Sequence, residues 1–259
     1  EIPSSYRDKC FSKLRLLARI FRLQIRYALN VQDNFILLVC KNEIWRITLD
    51  SFEVRLDFVI PDNRTALYLS LIENNNGHAG KVVFGEYFNN PDKGIVKIFG
   101  TEVGAESNWH VLHEFDSNEI NHVHNIIYNE RNGTLYILSG DFGDGAAIWK
   151  TNSEFQDVVP LVRGKQKYRA CWALVGENSL TYATDTQLEI NSFCRLHDGQ
   201  VTSSEKIEGS SIYFGGNRNA YYFSTTVEPG EPTGNFLVDV FSQRLGPGIL
   251  SNRSKIYSI

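Results

Sequence analysis

The chain has 259 residues, of which 42% are hydrophobic and 12% aromatic, and its formal net charge is -4. That length and apolar content suit one large all-β domain, and the acidic balance argues against nucleic acid, which calls for a strongly basic face. The longest clean apolar run, Phe35 to Cys40, is far too short to cross a bilayer, so no membrane span is expected.

Residues 1–29 read as a basic leader, with no signal peptide at the N-terminus as given. Arg15, Arg19, Arg22 and Arg26 recur at helical spacing, while Leu16, Leu17, Ile20, Phe21 and Leu23 spread over the other side. Such a face could meet an anionic partner; the plainer reading is a packed leader with solvated arginines. Its end, Gln24 to Leu29, is a candidate strand to close a ring against the last repeat. No methionine occurs, even at position 1, so the chain is expected to be a fragment, a processed form or a sequence whose start has been removed.

From residue 30 to 259 one unit rhymes: a polar turn, a short apolar strand, then small residues and an acid. Gln32-Asp33-Asn34 leads into Phe35 to Val39 without the acid, and Asn74-Asn75-Asn76-Gly77 leads into Val82 to Glu86. Glu130 to Gly133 leads into Leu135 to Asp141, Gly176 to Asn178 into Leu180 to Asp185, and Asn217 to Asn219 into Tyr221 to Thr226 with Glu228 beyond. The fullest repeat has strands at His122 to Asn129, Thr134 to Asp141, Ala147 to Thr151 and Phe155 to Val162. Short strands, Asn/Gly turns and a repeat of roughly 40 to 55 residues predict an all-β propeller of four-stranded antiparallel blades. Five blades are expected, with six as the alternative.

Equivalent strand ends in a propeller converge around the axis. In an antiparallel hairpin the start of one strand lies beside the end of its partner, so His122 and His124, alternating onto one face, should lie near Asp141. The same logic puts Tyr168 or Arg169 near Asp185. One mouth of the axis would then collect Glu86, Asp141, Asp185 and Glu228 with His122, His124 and Arg169. Clustered carboxylates need cations or shared protons. Two imidazoles with carboxylates can hold a divalent ion, for which His122, His124 and Asp141 are the candidate ligands; no other cofactor is indicated. Two carboxylates can hydrolyse a glycoside, and a His or Tyr base with an Arg or metal on a uronate carboxylate can perform β-elimination. Against all of these stands ordinary turn chemistry, because Asp at a strand end caps its own backbone.

Other motifs are plainer. Gly140-Asp141-Phe142-Gly143-Asp144-Gly145 fits neither the P-loop nor the EF-hand pattern. Gly164 to Arg169 could set Gln166 and Arg169 over an anionic sugar, since Arg grips carboxylates bidentately, or be an exposed connection. His110, His113 and His197 stand alone. None of Cys10, Cys40, Cys171 and Cys194 forms a C-x-x-C pair; the last three read as small hydrophobes, and unpaired cysteines lean towards a reducing interior.

At Phe84-Gly85-Glu86-Tyr87, His122-x-His124, Ser139-Gly140-Asp141, Gln166-x-x-Arg169, Thr184-Asp185 with Asn191, and Ser224 to Pro229, the chain resembles the sialidase-like BNR-repeat (Asp-box) propellers among bacterial carbohydrate-active proteins. The resemblance runs from roughly residue 30 to 245. The Asp-box survives only in altered form at Thr101-Glu102-Val103-Gly104 … Trp109, with a fainter trace at Thr151 to Glu154. True sialidases carry an arginine trio and a Tyr-Glu pair, and the trio has no counterpart here. What the resemblance implies is a propeller and a carbohydrate context in bacteria. The expectation is an enzyme, a lyase or glycoside hydrolase, acting on an acidic poly- or oligosaccharide. His122, His124, Asp141, Arg169 and Asp185 would be catalytic. Glu86, Tyr87, Gln166, Tyr168, Asn191 and Glu228 would bind substrate. The alternative is a non-catalytic glycan- or protein-binding propeller, with Tyr87, Tyr168 and Trp172 as stacking surfaces.

Overall fold

A computed structural model describes residues 13–14, 24–32, 35–73, 79–104, 106–217, 219–230 and 244–259. Arg15, Arg19, Arg22, Cys10, the turn at 74–77, and parts of two other turns at 33–34 and 218 lie outside them. Five antiparallel sheets form a five-bladed β-propeller. The first blade is β1 (Tyr27–Val31), β2 (Phe35–Cys40), β3 (Glu43–Thr48) and β4 (Val54–Val59). In the second, β5 (Thr65–Ala66) and β6 (Ser70–Glu73) share the inner position, followed by β7 (Ala79–Tyr87), β8 (Val96–Glu102) and β9 (His110–Phe115). The third is β10 (His122–Asn129), β11 (Thr134–Gly140), β12 (Ala147–Thr151) and β13 (Val159–Arg163). The fourth is β14 (Ala170–Val175), β15 (Ser179–Thr184), β16 (Ser192–His197) and β17 (Gln200–Lys206). The fifth is β18 (Ser210–Gly216), β19 (Tyr221–Thr226) and β20 (Ile256–Ser258), three strands among the described residues.

The ring does not close as the sequence suggests. The N-terminal strand begins at Tyr27 and pairs with β2 in its own blade, Tyr27 opposite Val39 and Val31 opposite Phe35. The fifth blade instead takes β20 from the C-terminal end. Among the described residues no helix is long and apolar enough to cross a membrane.

Apolar residues alternate along the strands and pack neighbouring blades face to face. Val83, Ile98 and Phe115 of the second blade pack on Val123, Ile137 and Trp149 of the third. Leu138 and Ile148 meet Ala173, Leu180 and Tyr182 of the fourth, and Phe193 meets Phe223 of the fifth.

The inner strands of four blades carry the feature that shapes the axis. Each holds one more residue than its partner needs. In β10 Val123 pairs with Ser139 and Asn125 with Leu138, so His124 is left over. In β14 Cys171 and Trp172 together face Ala183, and in β18 Ile212 is left over. In the second blade residues 67–69 face Gly85 and Phe84, between the pairs Ala66–Glu86 and Ser70–Val83. An extra residue bends the strand and re-aims its side chains. The first blade has no such bulge.

Candidate functional site

The bulges and the strand ends beside them meet on the axis. A cavity of about 660 Å³ lies there, lined from four blades by Tyr27, Tyr68, Tyr87, Arg169, Asp185 and Glu228 among others. Tyr68 closes part of it by reaching across the ring: its hydroxyl donates to the carbonyl of bulged Ile212 at 2.5 Å, and its ring meets Trp172 edge-on at 5.3 Å.

Asp141 follows the last residue of β11. Its backbone N–H donates to Asn121 Oδ1 at 2.9 Å, as does that of Phe142 at 3.2 Å. Asn121 is fixed in turn by reciprocal amide-to-carbonyl bonds with Asn90, at 2.8 and 3.0 Å. Gln166 donates to the Asp141 carbonyl at 2.9 Å and accepts from Thr186 at 2.6 Å. The Asp141 carboxylate is thereby aimed at two imidazoles. Oδ1 lies 3.3 Å from Nε2 of both His122 and His124, and those two nitrogens lie 3.1 Å apart.

This convergence does not come from plain strand alternation. His122 pairs opposite Gly140, and the bulge swings His124 over the same glycine. A Cβ at Gly140 would sit 2.4 Å from Cε1 and 2.5 Å from Nε2 of His124, so only glycine admits the ring. Each imidazole is oriented from a neighbouring blade: Nδ1 of His122 lies 2.9 Å from the Phe88 carbonyl and Nδ1 of His124 2.9 Å from the Ala170 carbonyl. The Tyr87 ring covers His122, centroid to centroid 4.3 Å.

Arg169 stands between two carboxylates. Nη2 is 3.0 Å from Asp141 Oδ1 and Nε is 3.6 Å from Asp185 Oδ2, and Nη1 donates to Gln187 at 2.9 Å. Burial would loosen the guanidinium proton, but Asp185 and Asp141 outweigh it and hold the charge. Burial alone would raise the Asp141 carboxyl; the facing His122 and His124 imidazoles and the charge of Arg169 hold it well below the usual carboxylate range.

Asp185 also accepts from the Cys171 thiol at 3.2 Å, so Cys171 is a polar partner rather than only a packed hydrophobe. Burial, then Asp185, keep that thiol protonated. Cys194 does pack in an apolar cluster, and neither Cys171 nor Cys194 forms a disulfide. Glu228 lines the cavity, and burial followed by the charge of Asp185 pushes its carboxyl up to about 7. Burial, then neighbouring Cys171 and Asp141, raise the Tyr87 phenol far above its ordinary range.

Three expected site residues stand elsewhere. Glu86 does not line the cavity: its Oε2 takes Arg64 Nη1 at 2.5 Å and the Lys97 N–H at 2.8 Å. Asn191 is consumed in holding the loop after β15, bonding Thr184, Thr186 and the Gly248 carbonyl. Tyr168 is off the cavity as well, in a short turn before β14. Gln166 is buried and positions Asp141 rather than facing a ligand. Conversely, Asn121, Gln187 and Tyr68 belong to the site and were not among the expected residues.

The chain matches no protein-family model and no curated protein. Among solved structures it is similar to an oligogalacturonate lyase from Vibrio parahaemolyticus, with 9% identity, a TM-score of 0.51, and coverage of 80% of this chain and 58% of that one. It is similar also to a luciferin-regenerating enzyme, with 13% identity, a TM-score of 0.52, and coverage of 78% of this chain and 70% of that one. At these identities the likeness is one of fold, and the chain spans little more than half of the lyase. The sialidase-like resemblance finds no matching family.

Proposed function

We propose that the propeller is an enzyme that cleaves an acidic glycan in the axial cavity by β-elimination at a uronate residue. The observation that carries this reading is the trio Arg169, Glu228 and Tyr87 on one cavity wall system. Elimination needs three services: a cation on the sugar carboxylate to acidify the adjacent C5–H, a base to take that proton, and an acid for the departing oxygen. Arg169 keeps its charge and has N–H groups beyond those given to Asp141 and Gln187, which suits carboxylate recognition. Glu228, with its carboxyl near 7, suits the base, because proton transfer is most effective when the catalytic pKa lies near the working pH. Tyr87 stays protonated at neutral pH and suits the acid.

In the step itself, the Glu228 carboxylate takes the C5 proton and a C4=C5 double bond forms. The C4–O bond breaks with its electron pair on oxygen, and the Tyr87 proton passes to that oxygen. The similarity in fold to an oligogalacturonate lyase agrees with this chemistry without establishing it.

A second reading, a glycan-binding propeller without catalysis, draws on the aromatic wall of Tyr27, Tyr68, Tyr213 and Phe214, since sugars stack on rings without titratable groups. One assay separates the two. Uronate-containing and neutral polysaccharides are incubated with the native chain and with Glu228→Gln, recording unsaturated product and new reducing ends. Unsaturated ends from uronate polymers only, lost in the variant, are expected. Reducing ends without unsaturation would replace elimination by hydrolysis, and retention of glycan without products would favour the binding reading.

A further inference from the structure

We infer that His122, His124 and Asp141 form a binding site for one divalent transition-metal ion. The argument starts from protons. Nδ1 of His122 and Nδ1 of His124 each lie 2.9 Å from a backbone carbonyl oxygen, of Phe88 and Ala170. A carbonyl only accepts, so each Nδ1 carries a hydrogen, and in the neutral form each ring presents a bare lone pair at Nε2. Those two lone pairs stand 3.1 Å apart, and each stands 3.3 Å from Oδ1 of Asp141, the carboxylate oxygen that faces the Arg169 guanidinium. Three electron-rich atoms meet with no hydrogen between them.

A shared proton would relieve one edge of this triangle and leave the other two. An ion at its centre relieves all three. Nitrogen and oxygen ligands sit ~2.0–2.2 Å from such an ion, so at tetrahedral or octahedral angles they stand ~2.9–3.5 Å from one another. The observed edges of 3.1, 3.3 and 3.3 Å fall in that range.

The surroundings are those of a built ligand set. Metal-binding imidazoles donate their other N–H to a carbonyl or carboxylate, which fixes tautomer and orientation; both do so here, to two different blades. Asn121 and Gln166 hold the Asp141 backbone. All three side chains are mostly buried, with exposures of 5%, 2% and 23%. Charge also favours a cation, because Arg169 faces both Asp141 and Asp185 and neutralises only one of them. Two imidazoles and one carboxylate are the donors of zinc, manganese, iron or cobalt rather than of calcium or magnesium. Three protein ligands leave room for exchangeable ones, and the Tyr87 and Arg169 side chains connect the triangle to the cavity.

A second trio, His124, Cys171 and Asp185, also lies close together, but there the thiol hydrogen already satisfies Asp185. The inference rests on imidazole geometry and holds whether or not the cavity cleaves a glycan.

The test therefore reads metal, not turnover. The full chain is stripped with chelator, dialysed separately against zinc and manganese salts, and measured for bound metal by elemental analysis and for melting temperature. About one equivalent per chain and a raised melting temperature are expected, because an ion that binds only the folded state stabilises it. Cobalt substitution should give visible bands of nitrogen and oxygen ligation without a thiolate charge-transfer band. Asp141→Asn and His122→Gln, checked for fold by circular dichroism, should each weaken binding at least tenfold, and Cys171→Ser should leave stoichiometry unchanged. Folded native chain that takes up no metal overturns the inference. So does metal lost in Cys171→Ser but kept in His122→Gln.

Discussion

Two buried arginine–aspartate nodes in this propeller use the same ions to opposite ends. At the seam of the first and second blades, Arg46 Nε lies 2.9 Å from Asp57 Oδ1. Its Nη1 donates to the Gly104 carbonyl at 2.8 Å and its Nη2 to Ser107 at 2.6 Å. Ser107 and the Trp109 indole both donate to Asp57 Oδ2, at 2.8 and 2.9 Å, and the guanidinium lies 3.8 Å over the Phe35 ring. Both oxygens of Asp57 are thus met by partners, and the node is structural. On the axis two imidazole nitrogens crowd one Asp141 oxygen, and Oδ1 of buried Asp185 has no hydrogen-bond partner. A closed account of hydrogen bonds marks mortar; a surplus of lone pairs beside a cavity marks chemistry.

The comparison can be broken most sharply at the seam. Asp57→Ala leaves Arg46 charged and buried without its counter-ion, and such a loss costs ~3–5 kcal/mol. Urea unfolding should show it, while cleavage or glycan retention per folded molecule stays as in the native chain. A loss below ~1 kcal/mol would mean that the seam node is not the closed pair its geometry describes.

Gly140→Ala probes the axial node next. The new methyl meets the His124 ring at 2.4 Å, and overpacking of this kind costs ~1–3 kcal/mol. The displaced imidazole should take metal uptake and turnover with it. If the variant binds metal as the native chain does, the close approach of Gly140 and His124 is not what sets the triangle.

Glu228 offers a pH signature. Its carboxyl is raised from 4.5 to about 7 in the folded chain. The native state therefore keeps a proton that the unfolded chain has already released between those values. Stability must fall as pH rises through that window and level off above it. Glu228→Gln should flatten this fall in urea midpoints, and in the native chain the proposed cleavage should speed up through the same window as the base ionises. An unchanged slope in the variant would place the responsible group elsewhere.

The ring was legible because period-two strands and Asn/Gly turns repeat locally, and local repetition is what a sequence records well. The H-x-H pair was legible for an incomplete reason. Alternation predicts residues 122 and 124 on one face, yet the pair converges because His124 is bulged and position 140 lacks a side chain. Bulges depend on counting residues in two strands at once, which no single strand reveals. Asn121 and Gln187 stayed hidden because they act on a backbone N–H and a guanidinium 20 and 18 residues away along the chain. The altered Asp-box stretch turned out to belong to the seam: Gly104, Ser107 and Trp109 all serve Asp57 and Arg46.

The smallest expected effect comes from Glu86, which the strand-end rhyme placed among the axial acids as a substrate-binding residue. Tyr87, the next residue of β7, lines the cavity, and one step along a strand reverses the face. Glu86 accordingly points to Arg64 and the Lys97 N–H. Glu86→Gln keeps an acceptor for both, loses the charge attraction to a partly exposed Arg64, and introduces an amide whose hydrogens have no ready partner, because Oε1 has none now. A cost of ~1–3 kcal/mol in unfolding free energy is expected from the unpaired buried group. The cleavage rate should stay within about twofold of native, since a residue that touches neither substrate nor reacting groups leaves the transition state alone. A tenfold loss of rate with stability intact would show that the blade-two acid does communicate with the axis, and the line drawn between closed and open nodes would have to move.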